Sequence, residues 1–394
     1  MRVCGVICEY NPFHRGHEYH LARARALTGA DYVVCVMSGA LTQRGLFARH
    51  DKWTRARAAL LHGADLVLEL PVRFACAPAP DFARGGVMTL AGLGVLTHLS
   101  FGCEAGALPH LSHAAEALRA ESPAFRLALR EALDRGLPYP RARALAVQRA
   151  CGADGMAGDI AAPNAALALA YLCALPEGIE AVPVTREGAG YHDAQLCELS
   201  SAAGIRAALE AGREAEALAA VPCPELFRDA EARGDVHLPG ALDTALLSRL
   251  RVMTADELRG IGGMDEGLEY RFLAAAGQTA TRDALIHAVK SKRYTYARLS
   301  RLCANVLLNV TRDFAVANDC PAYARVLGFR REAAPLLHAV KKRGTLPLVT
   351  KTADFAHPLL ALDVRAQDLW ALGCASPSLR GSGRDFRTSP VISD

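Results

Sequence analysis

Two histidines separated by two residues, His14 and His17, lie in the segment GVICEYNPFHRGHEYHLARA with Gly16 between them. The apolar residues before them are typical of a buried strand and the residues after them of a helix, so the pair falls in a strand-to-helix loop. Gly16 lets the backbone approach a ligand closely, and the free amides of a helix start favour an anion. Imidazoles donate to phosphate oxygens and stabilise a leaving pyrophosphate. We therefore predict that His14 and His17 are catalytic, rather than ordinary surface histidines.

Three further residues are predicted to lie near this loop. In a doubly wound sheet of order 3-2-1-4-5, a ligand binds at the carboxyl ends of strands one and four. Gly102 ends the fourth predicted strand and would let an adenine or ribose lie against bare backbone, although it also suits a simple turn. Asn164 begins a helix after Pro163, where it either contacts the ligand or caps the helix. Arg186 follows the fifth predicted strand, and a guanidinium suits bidentate phosphate binding.

A serine-rich turn, SSAAGIR at residues 200–206, opens another predicted helix. It is similar to the ISSTxIR turn that holds the outer phosphates in adenylyl-transfer enzymes of the HxGH type. Ser201 and Arg206 match that turn and are candidate phosphate contacts, whereas Ala203 stands where the turn has threonine. Ser201 is equally suited to capping the helix, and the pattern leaves both roles open.

The elements that must position these residues alternate between strands and helices through the first half of the chain. This pattern is typical of an α/β fold with a doubly wound parallel sheet, here of the HxGH nucleotidyltransferase-like Rossmann type. The predicted strands are residues 2–8, 32–37, 66–70, 99–102 and 181–185. The predicted helices are residues 17–27, 52–62, 82–93 and 164–175, the second of them with Asp51 and Gly63 as caps.

From about residue 200 onward the predicted strands fade and apolar residues recur at helical spacing. One such stripe comprises Leu299, Leu302, Cys303, Val306, Leu307 and Val310. We therefore predict two domains, an ATP-binding α/β domain over residues 1–200 and a mainly α-helical domain over residues 201–394. The Gly-, Ser- and Arg-rich stretch near residues 376–387 is predicted to be loose.

Cations and aromatic residues alternate in the segment KSKRYTYARLSR of the second half. Cations beside aromatic rings are typical of contacts with RNA phosphates and unstacked bases. A solvated helix face is the alternative. The candidate RNA contacts are Lys290, Lys292, Arg293, Tyr294, Tyr296 and Arg298.

Bulk composition limits the classes of protein that the motifs can belong to. The net charge of +4 is too small to demand a nucleic-acid partner, but five of the six lysines lie in the last third of the chain. The twelve cysteines show no zinc or CxxC spacing, which is typical of reduced thiols in a cytoplasmic protein. No apolar stretch approaches the roughly 18 residues that a membrane span needs. We predict a soluble, cytoplasmic protein, and the sequence indicates no protein partner.

A set of longer motifs, in the same order, resembles the tRNA(Met) cytidine acetate ligase (TmcAL) family of HxGH nucleotidyltransferase-like proteins. The resemblance covers nearly the whole chain. The motifs are EYNPFHRGHEYHL, MSGALTQRG followed by DKWTRARAAL, DLVLELP, the PN pair at Pro163 and Asn164, TREGAGYHD, KRYTYARLSRL, YARVLGF and GRDFRTSPVI.

The resemblance implies an enzyme that forms acetyladenylate from ATP and acetate. It would then transfer the acetyl group to the wobble cytidine of elongator tRNA(Met), giving N4-acetylcytidine, with the helical half helping to hold the tRNA. Mg²⁺ would arrive with ATP, since no carboxylate cage and hence no protein metal ligand is visible. The implied ATP site comprises Ile7, Cys8, Glu9, Tyr10, Asn11, Pro12, Phe13, His14, Arg15, Gly16, His17, Glu18, Tyr19, His20, Gly102, Asn164 and Arg186.

Two other functions fit the same residues. An adenylyltransferase acting on a small phosphorylated metabolite would use the same loop but would not need the helical half. A non-catalytic RNA-binding protein with a relic nucleotide pocket would bind tRNA even without both histidines. The base that accepts the amine proton during acyl transfer is not identified by the pattern, although His192 is one candidate.

Overall fold

The computed structural model describes residues 1–103, 108–137, 139–151, 163–185 and 201–394. Within these ranges eight strands form one sheet. They are β1 Val3–Cys8, β2 Tyr32–Ser38, β3 Leu66–Leu70, β4 His98–Cys103, β5 Glu180–Thr185, β6 Ala324–Arg330, β7 Leu348–Val349 and β8 Val391–Ser393.

The strand order is β5-β4-β1-β2-β3-β6-β7, with β8 paired to β6. Only β3 and β6 run antiparallel among the described pairs. The predicted order 3-2-1-4-5 is confirmed, and it brings the carboxyl ends of β1 and β4 side by side.

The helices of the first half cover the sheet and agree with the four predicted ones to within three residues at each end. The predicted cap Asp51 is confirmed, because its Oδ1 accepts the N–H of Trp53 at 2.7 Å. At the other end of that helix the cap is His62, and Gly63 follows with φ of 111°. The helices are α1 Arg15–Thr28, α2 Lys52–Leu61, α3 Val72–Ala75, α4 Ala79–Ala91, α5 Leu108–Ala120, α6 Pro123–Asp134, α7 Tyr139–Cys151 and α8 Pro163–Ala174.

Five helices of the second half, between residues 243 and 308, share an apolar core of their own, to which the predicted stripe contributes Leu299, Leu302, Cys303 and Val306. The helices of the second half are α9 Ala202–Glu210, α10 Glu214–Ala219, α11 Pro224–Ala232, α12 Asp243–Val252, α13 Ala255–Arg259, α14 Leu268–Gln278, α15 Arg282–Val289, α16 Tyr296–Leu308, α17 Arg312–Ala317, α18 Ala334–Arg343, α19 Pro358–Leu372 and α20 Arg384–Arg387. Short 3₁₀ turns occur at Arg331–Ala333, Thr352–Asp354 and Pro377–Leu379.

The last third of the chain also adds β6, β7 and β8 to the sheet, which sequence reasoning missed. β7 and β8 are too short to show a period, and β6 is interrupted by Gly328. A Cβ at Gly328 would lie 2.7 Å from the carbonyl oxygen of Val391 and 2.8 Å from Leu60 Cδ1, so glycine is needed for this close approach. The sheet therefore draws on both halves of the chain, and a domain boundary at residue 200 stays a prediction.

A buried cluster of charges binds the C-terminal segment to the sheet. Lys52 Nζ lies 2.8 Å from Glu69 Oε1 and 2.7 Å from Asp385 Oδ1, and all three side chains are fully buried. Arg325 pairs with both of these carboxylates. The prediction that residues 376–387 are loose is wrong for this part of the segment, because buried cations need carboxylate partners and Asp385 is one of them.

Candidate active site

The HxGH loop joins β1 to α1, and its two histidines cap the helix. His14 Nδ1 accepts the N–H of Gly16 at 3.1 Å, and His17 Nδ1 accepts the N–H of His14 at 3.2 Å. This is a capping box built from imidazoles. The two ring centroids are 3.7 Å apart. Because each Nδ1 accepts a hydrogen bond, a neutral ring carries its proton on Nε2, which makes Nε2 a donor suited to phosphate oxygens.

Two buried aromatic residues, Tyr10 and Phe13, pack against the ring of His17. The ring centroids of Tyr10 and Phe13 lie 4.8 Å and 5.7 Å from that of His17. Tyr10 has φ of 49°, a left-handed conformation that costs a non-glycine residue about 1–3 kcal/mol. Its hydroxyl lies 3.5 Å from Cys35 Sγ, and burial raises the pKa of Tyr10 well above its usual range. Packing of this kind holds the loop in one conformation.

Arg55 of α2 ties together the carboxyl ends of β1 and β2. Its Nη1 donates to the carbonyl oxygens of Glu9 at 2.7 Å and Ser38 at 2.9 Å. Its Nε donates to the carbonyl of His50 at 3.0 Å, and its Nη2 donates to that of Gly39. Burial lowers the pKa of Arg55 to about 10, so it remains charged at neutral pH. Sequence reasoning did not single it out, and its only signal was its place in the DKWTRARAAL motif.

The side chains of Glu9 and Asn11 bind the segment that follows β2. Glu9 Oε1 accepts the N–H of Gln43 at 2.6 Å, and Asn11 Oδ1 accepts the N–H of Arg49 at 3.0 Å. These two oxygens therefore hold the loops of β1 and β2 against each other.

Arg206 reaches the same loop from the second half of the chain. Its Nη1 donates to the carbonyl of Asn11 at 2.5 Å and to that of Ala202 at 3.1 Å. Ser201 Oγ accepts the N–H of Gly204 at 3.2 Å and caps α9, the role that the sequence left open. Phosphate contacts by Ser201 and Arg206 stay predictions.

The β4 side of the site is described in part. His20 Nε2 lies 3.0 Å from Ser100 Oγ, which joins α1 to β4. Gly102 lies near the carboxyl end of β4, opposite Val184 of β5. Since α8 leads into the amino end of β5, its first turn with Asn164 lies at the carboxyl edge of the sheet. The side chain of Asn164 is outside the described structure, as are Arg186 and His192.

The remaining members of the predicted ATP site lie on or beside the loop. Ile7 packs on α4, where a Cβ at Gly86 would lie 2.6 Å from Ile7 Cδ1. Glu18 Oε1 lies 2.8 Å from His62 Nδ1. Arg15 Nε is buried without a hydrogen-bond partner among the described residues, a state that a bound phosphate would relieve. Along the same loop and its flanking elements lie Cys8, Pro12 and Tyr19.

The predicted RNA contact surrounds the start of α16, and its tyrosines are engaged within the protein. Tyr294 is 5% exposed, and the guanidinium of Arg298 lies 5.1 Å from its ring centroid. The Tyr296 hydroxyl donates to Asp283 Oδ1 at 2.7 Å. The expectation that both rings face RNA bases does not hold for Tyr294, because protein atoms cover that ring. Three of the cations are exposed, namely Lys290, Lys292 and Arg293.

The described part of the chain has neither a metal-binding cluster nor a membrane-spanning helix. It contains no group of three or more His, Cys, Asp or Glu side chains that could hold a metal ion. None of its helices is long and apolar enough to cross a membrane. Ten cysteines are described, and all ten are free thiols.

A doubly wound sheet whose first loop is an HxGH capping box defines a nucleotide-binding α/β protein of the HxGH class. The family model described as HIGH Nucleotidyl Transferase matches residues 1–384. A relative from Acetivibrio thermocellus named tRNA(Met) cytidine acetate ligase is 35% identical over 415 residues, covering 100% of both chains. A relative of the same name from Geobacillus sp. is 36% identical over 408 residues, again covering 100% of both.

Two solved structures of a protein of this kind are also similar to this chain over its full length. The crystal structure of Thermotoga maritima TmcAL bound with alpha-thio ATP has a TM-score of 0.93 and 32% sequence identity, and the match covers 100% of this chain and 99% of that chain. The apo form of the same protein has a TM-score of 0.94, with equal identity and coverage. The chain therefore belongs to the HIGH nucleotidyltransferase family and, within it, to the tRNA(Met) cytidine acetate ligases. The predicted fold class and the resemblance are confirmed.

Proposed function

We propose that this protein activates acetate with ATP and acetylates the wobble cytidine of elongator tRNA(Met). The observation that carries the proposal is the imidazole capping box at the carboxyl edge of the sheet. It stands in a chain that is similar over its full length to tRNA(Met) cytidine acetate ligases and to a TmcAL that binds an ATP analogue. A tRNA substrate also supports a cytoplasmic location.

In the first step, an oxygen of acetate attacks the α-phosphorus of ATP. The bond from that phosphorus to the bridging oxygen breaks, and pyrophosphate leaves with the bonding electrons. His14 and His17 donate hydrogen bonds from Nε2 to the phosphate oxygens, where negative charge accumulates. Tyr10 and Phe13 hold His17 in place, so positioning and charge stabilisation suffice and the enzyme forms no covalent intermediate.

In the second step, the exocyclic amine of cytidine attacks the carbonyl carbon of acetyladenylate. AMP leaves, and the amine loses one proton to a base. Mg²⁺ would enter with ATP and be held largely by phosphate and water oxygens, as this ion prefers. The hydrogen-bond donors of the HxGH loop would lie near this ion, but they would bind the phosphates and not the metal.

The experiment that tests the proposal is exchange of labelled pyrophosphate into ATP with acetate and other short acids. We expect exchange with acetate in the wild type and a loss of roughly 100-fold or more in His17→Ala. The same preparation, given total tRNA, should yield acetylcytidine detectable by mass spectrometry of the nucleosides.

Two outcomes would contradict the proposal. Exchange that depends on a phosphorylated metabolite and on no acid would identify an adenylyltransferase. If the wild type consumes no ATP and tRNA binding survives the loss of both histidines, the protein is an RNA-binding protein with a relic nucleotide pocket.

A further inference from the structure

A cleft of about 1510 Å³ lies between helices of the first half and helices of the second half. One wall is formed by the starts of α4 and α7, and the facing wall by α16. Its described lining residues include neither Gly102 nor any residue of the segment 7–20. The cleft is therefore a separate feature from the HxGH loop.

The cleft carries an excess of positive charge. Seven of its described lining residues are arginines and three are acidic. Arg301 is the most unusual of them, because it pairs with no carboxylate of the described residues although it is largely buried. Its Nη1 donates only to the carbonyl of Gln43, at 3.2 Å, and burial lowers its pKa. A largely desolvated guanidinium whose described neighbours include no counter-ion favours an anionic ligand.

An exposed aromatic ring stands at the rim of the same cleft. Tyr139, the first residue of α7, is 55% exposed. It differs in this respect from Tyr294, whose ring is covered by protein. An exposed ring in a cleft lined by several guanidinium groups is the combination that binds unstacked bases and their phosphates.

One residue connects the cleft to the nucleotide loop. The N–H of Gln43 donates to Glu9 Oε1 at 2.6 Å, and the carbonyl of the same residue accepts from Arg301. Helix α16 also packs closely against the segment that contains Gln43 and Gly45, since a Cβ at Gly45 would lie 2.7 Å from the backbone nitrogen of Arg301. A ligand in the cleft therefore lies next to the loop that holds the phosphates.

The geometry points to this cleft as the binding site for a single-stranded RNA segment that contains the acceptor cytidine. Tyr139 stacks on one of its bases, and Arg301 pairs with one of its phosphates. This inference rests on the proposed function and adds to it the place of the acceptor. It moves the stacking role from the KRYTYAR segment to the opposite wall of the cleft, while Arg298 of that segment lines the same space.

The test compares the affinity of full-length variants for a tRNA(Met) transcript, by filter binding over a series of salt concentrations. We expect Tyr139→Ala to weaken binding roughly 5- to 100-fold and Tyr139→Phe to retain it, because phenylalanine keeps the stacking face. Tyr270→Ala is the matched control, since Tyr270 is 61% exposed on α14 and is not among the lining residues. Arg301→Gln should reduce the slope of log affinity against log salt by about one.

The inference and the proposed function fail in different ways. Lack of acetate-dependent pyrophosphate exchange in the wild type would refute the function. With exchange intact, equal RNA affinity of Tyr139→Ala and wild type would overturn the inference and favour another occupant, such as a polypeptide. Equal loss in Tyr139→Phe and Tyr139→Ala would overturn the stacking role, and loss of exchange in Tyr139→Ala would place this residue in the nucleotide site instead.

Discussion

At the scale of single residues, the roles proposed for His14 and His17 use different ring atoms, Nδ1 for the helix and Nε2 for a phosphate ligand. Their Nδ1 atoms accept hydrogen bonds from backbone N–H groups and cap α1. Their Nε2 atoms carry the ring protons and suit phosphate oxygens. Substitutions that keep an acceptor near the Nδ1 position should therefore separate stability from catalysis.

The variants His14→Asn and His17→Gln test this separation. Asparagine is a favourable N-cap residue and glutamine is the usual partner three residues later, so both preserve the capping box. We expect the free energy of unfolding to stay within about 1 kcal/mol of the wild type. Acetate-dependent exchange should fall roughly 100-fold, because the imidazole N–H that would donate to the phosphate oxygens is lost. Urea unfolding and pyrophosphate exchange measure the two effects, and full exchange in either variant would show that its imidazole is only a cap.

A second residue whose protonation matters is Asp363 of α19. Its Oδ1 accepts the N–H of Val72 at 2.7 Å, and Tyr323 donates to its Oδ2. Burial, and then the charge of Glu69, raise the pKa of Asp363 to about 8. Charge balance gives the same answer, because the neighbouring buried cluster already pairs two cations with two carboxylates. We therefore expect Asp363 to be mainly protonated in the folded protein at neutral pH.

This protonation predicts a pH dependence of stability. The folded-state pKa of Asp363 lies above its unfolded value, so its contribution is complete below about pH 4 and is lost as pH rises toward about 8. Asp363→Asn mimics the neutral acid and lacks this dependence. The wild type should lose stability relative to the variant by at most about 1.4 kcal/mol per pH unit. Urea unfolding of both proteins at pH 5, 6.5 and 8 measures the difference, and parallel pH profiles would mean that Asp363 is ionised when folded.

At the scale of elements, α2 connects the HxGH loop to the C-terminal segment. Arg55 on this helix binds carbonyls at the carboxyl ends of β1 and β2. Lys52, one turn earlier, binds Glu69 of β3 and Asp385 of α20. Because Lys52 is buried, removing one of its carboxylate partners would leave an uncompensated charge. The site loops are therefore held by a helix that itself depends on the end of the chain.

A truncation tests this dependence. Removal of residues 384–394 takes away β8 and Asp385, and it leaves Lys52 and Arg325 with Glu69 as their shared partner. Breaking a buried ion pair costs about 3–5 kcal/mol, so we expect at least that loss in the free energy of unfolding. The matched control removes Asp394 alone, whose exposed pair with Arg331 is worth about 0–1 kcal/mol. Equal stability of the two truncations would contradict a structural role for the cluster.

At the scale of the whole molecule, one sheet is built from distant parts of the chain. β6 covers the edge of β3 that the first half would otherwise expose, pairing Leu66 with Phe329 and Glu69 with Arg325. An uncovered edge of apolar strand favours aggregation. The two halves therefore share a core at the sheet, while the helices around α16 keep a separate one.

Features that depend on neighbouring residues could be predicted from the sequence. The strands β1 to β5 follow from apolar runs, their order from the preferred connections of alternating strands and helices, and the loop of His14 and His17 from local spacing. The position of His14 and His17 at the carboxyl edge of the sheet could also be predicted, because parallel strands end at the same side.

Features that join distant residues appeared only in the tertiary structure. Lys52 and Asp385 are 333 positions apart, and no local pattern indicates that they meet. From the sequence, Arg55 is only one more residue of an amphipathic helix, and its carbonyl partners are visible only in the structure. The sequence does not distinguish the exposure of Tyr139 from that of Tyr294, yet packing covers Tyr294 and leaves Tyr139 exposed. Periodicity depends on local spacing, whereas burial and ion pairing depend on which surfaces the folded chain brings together.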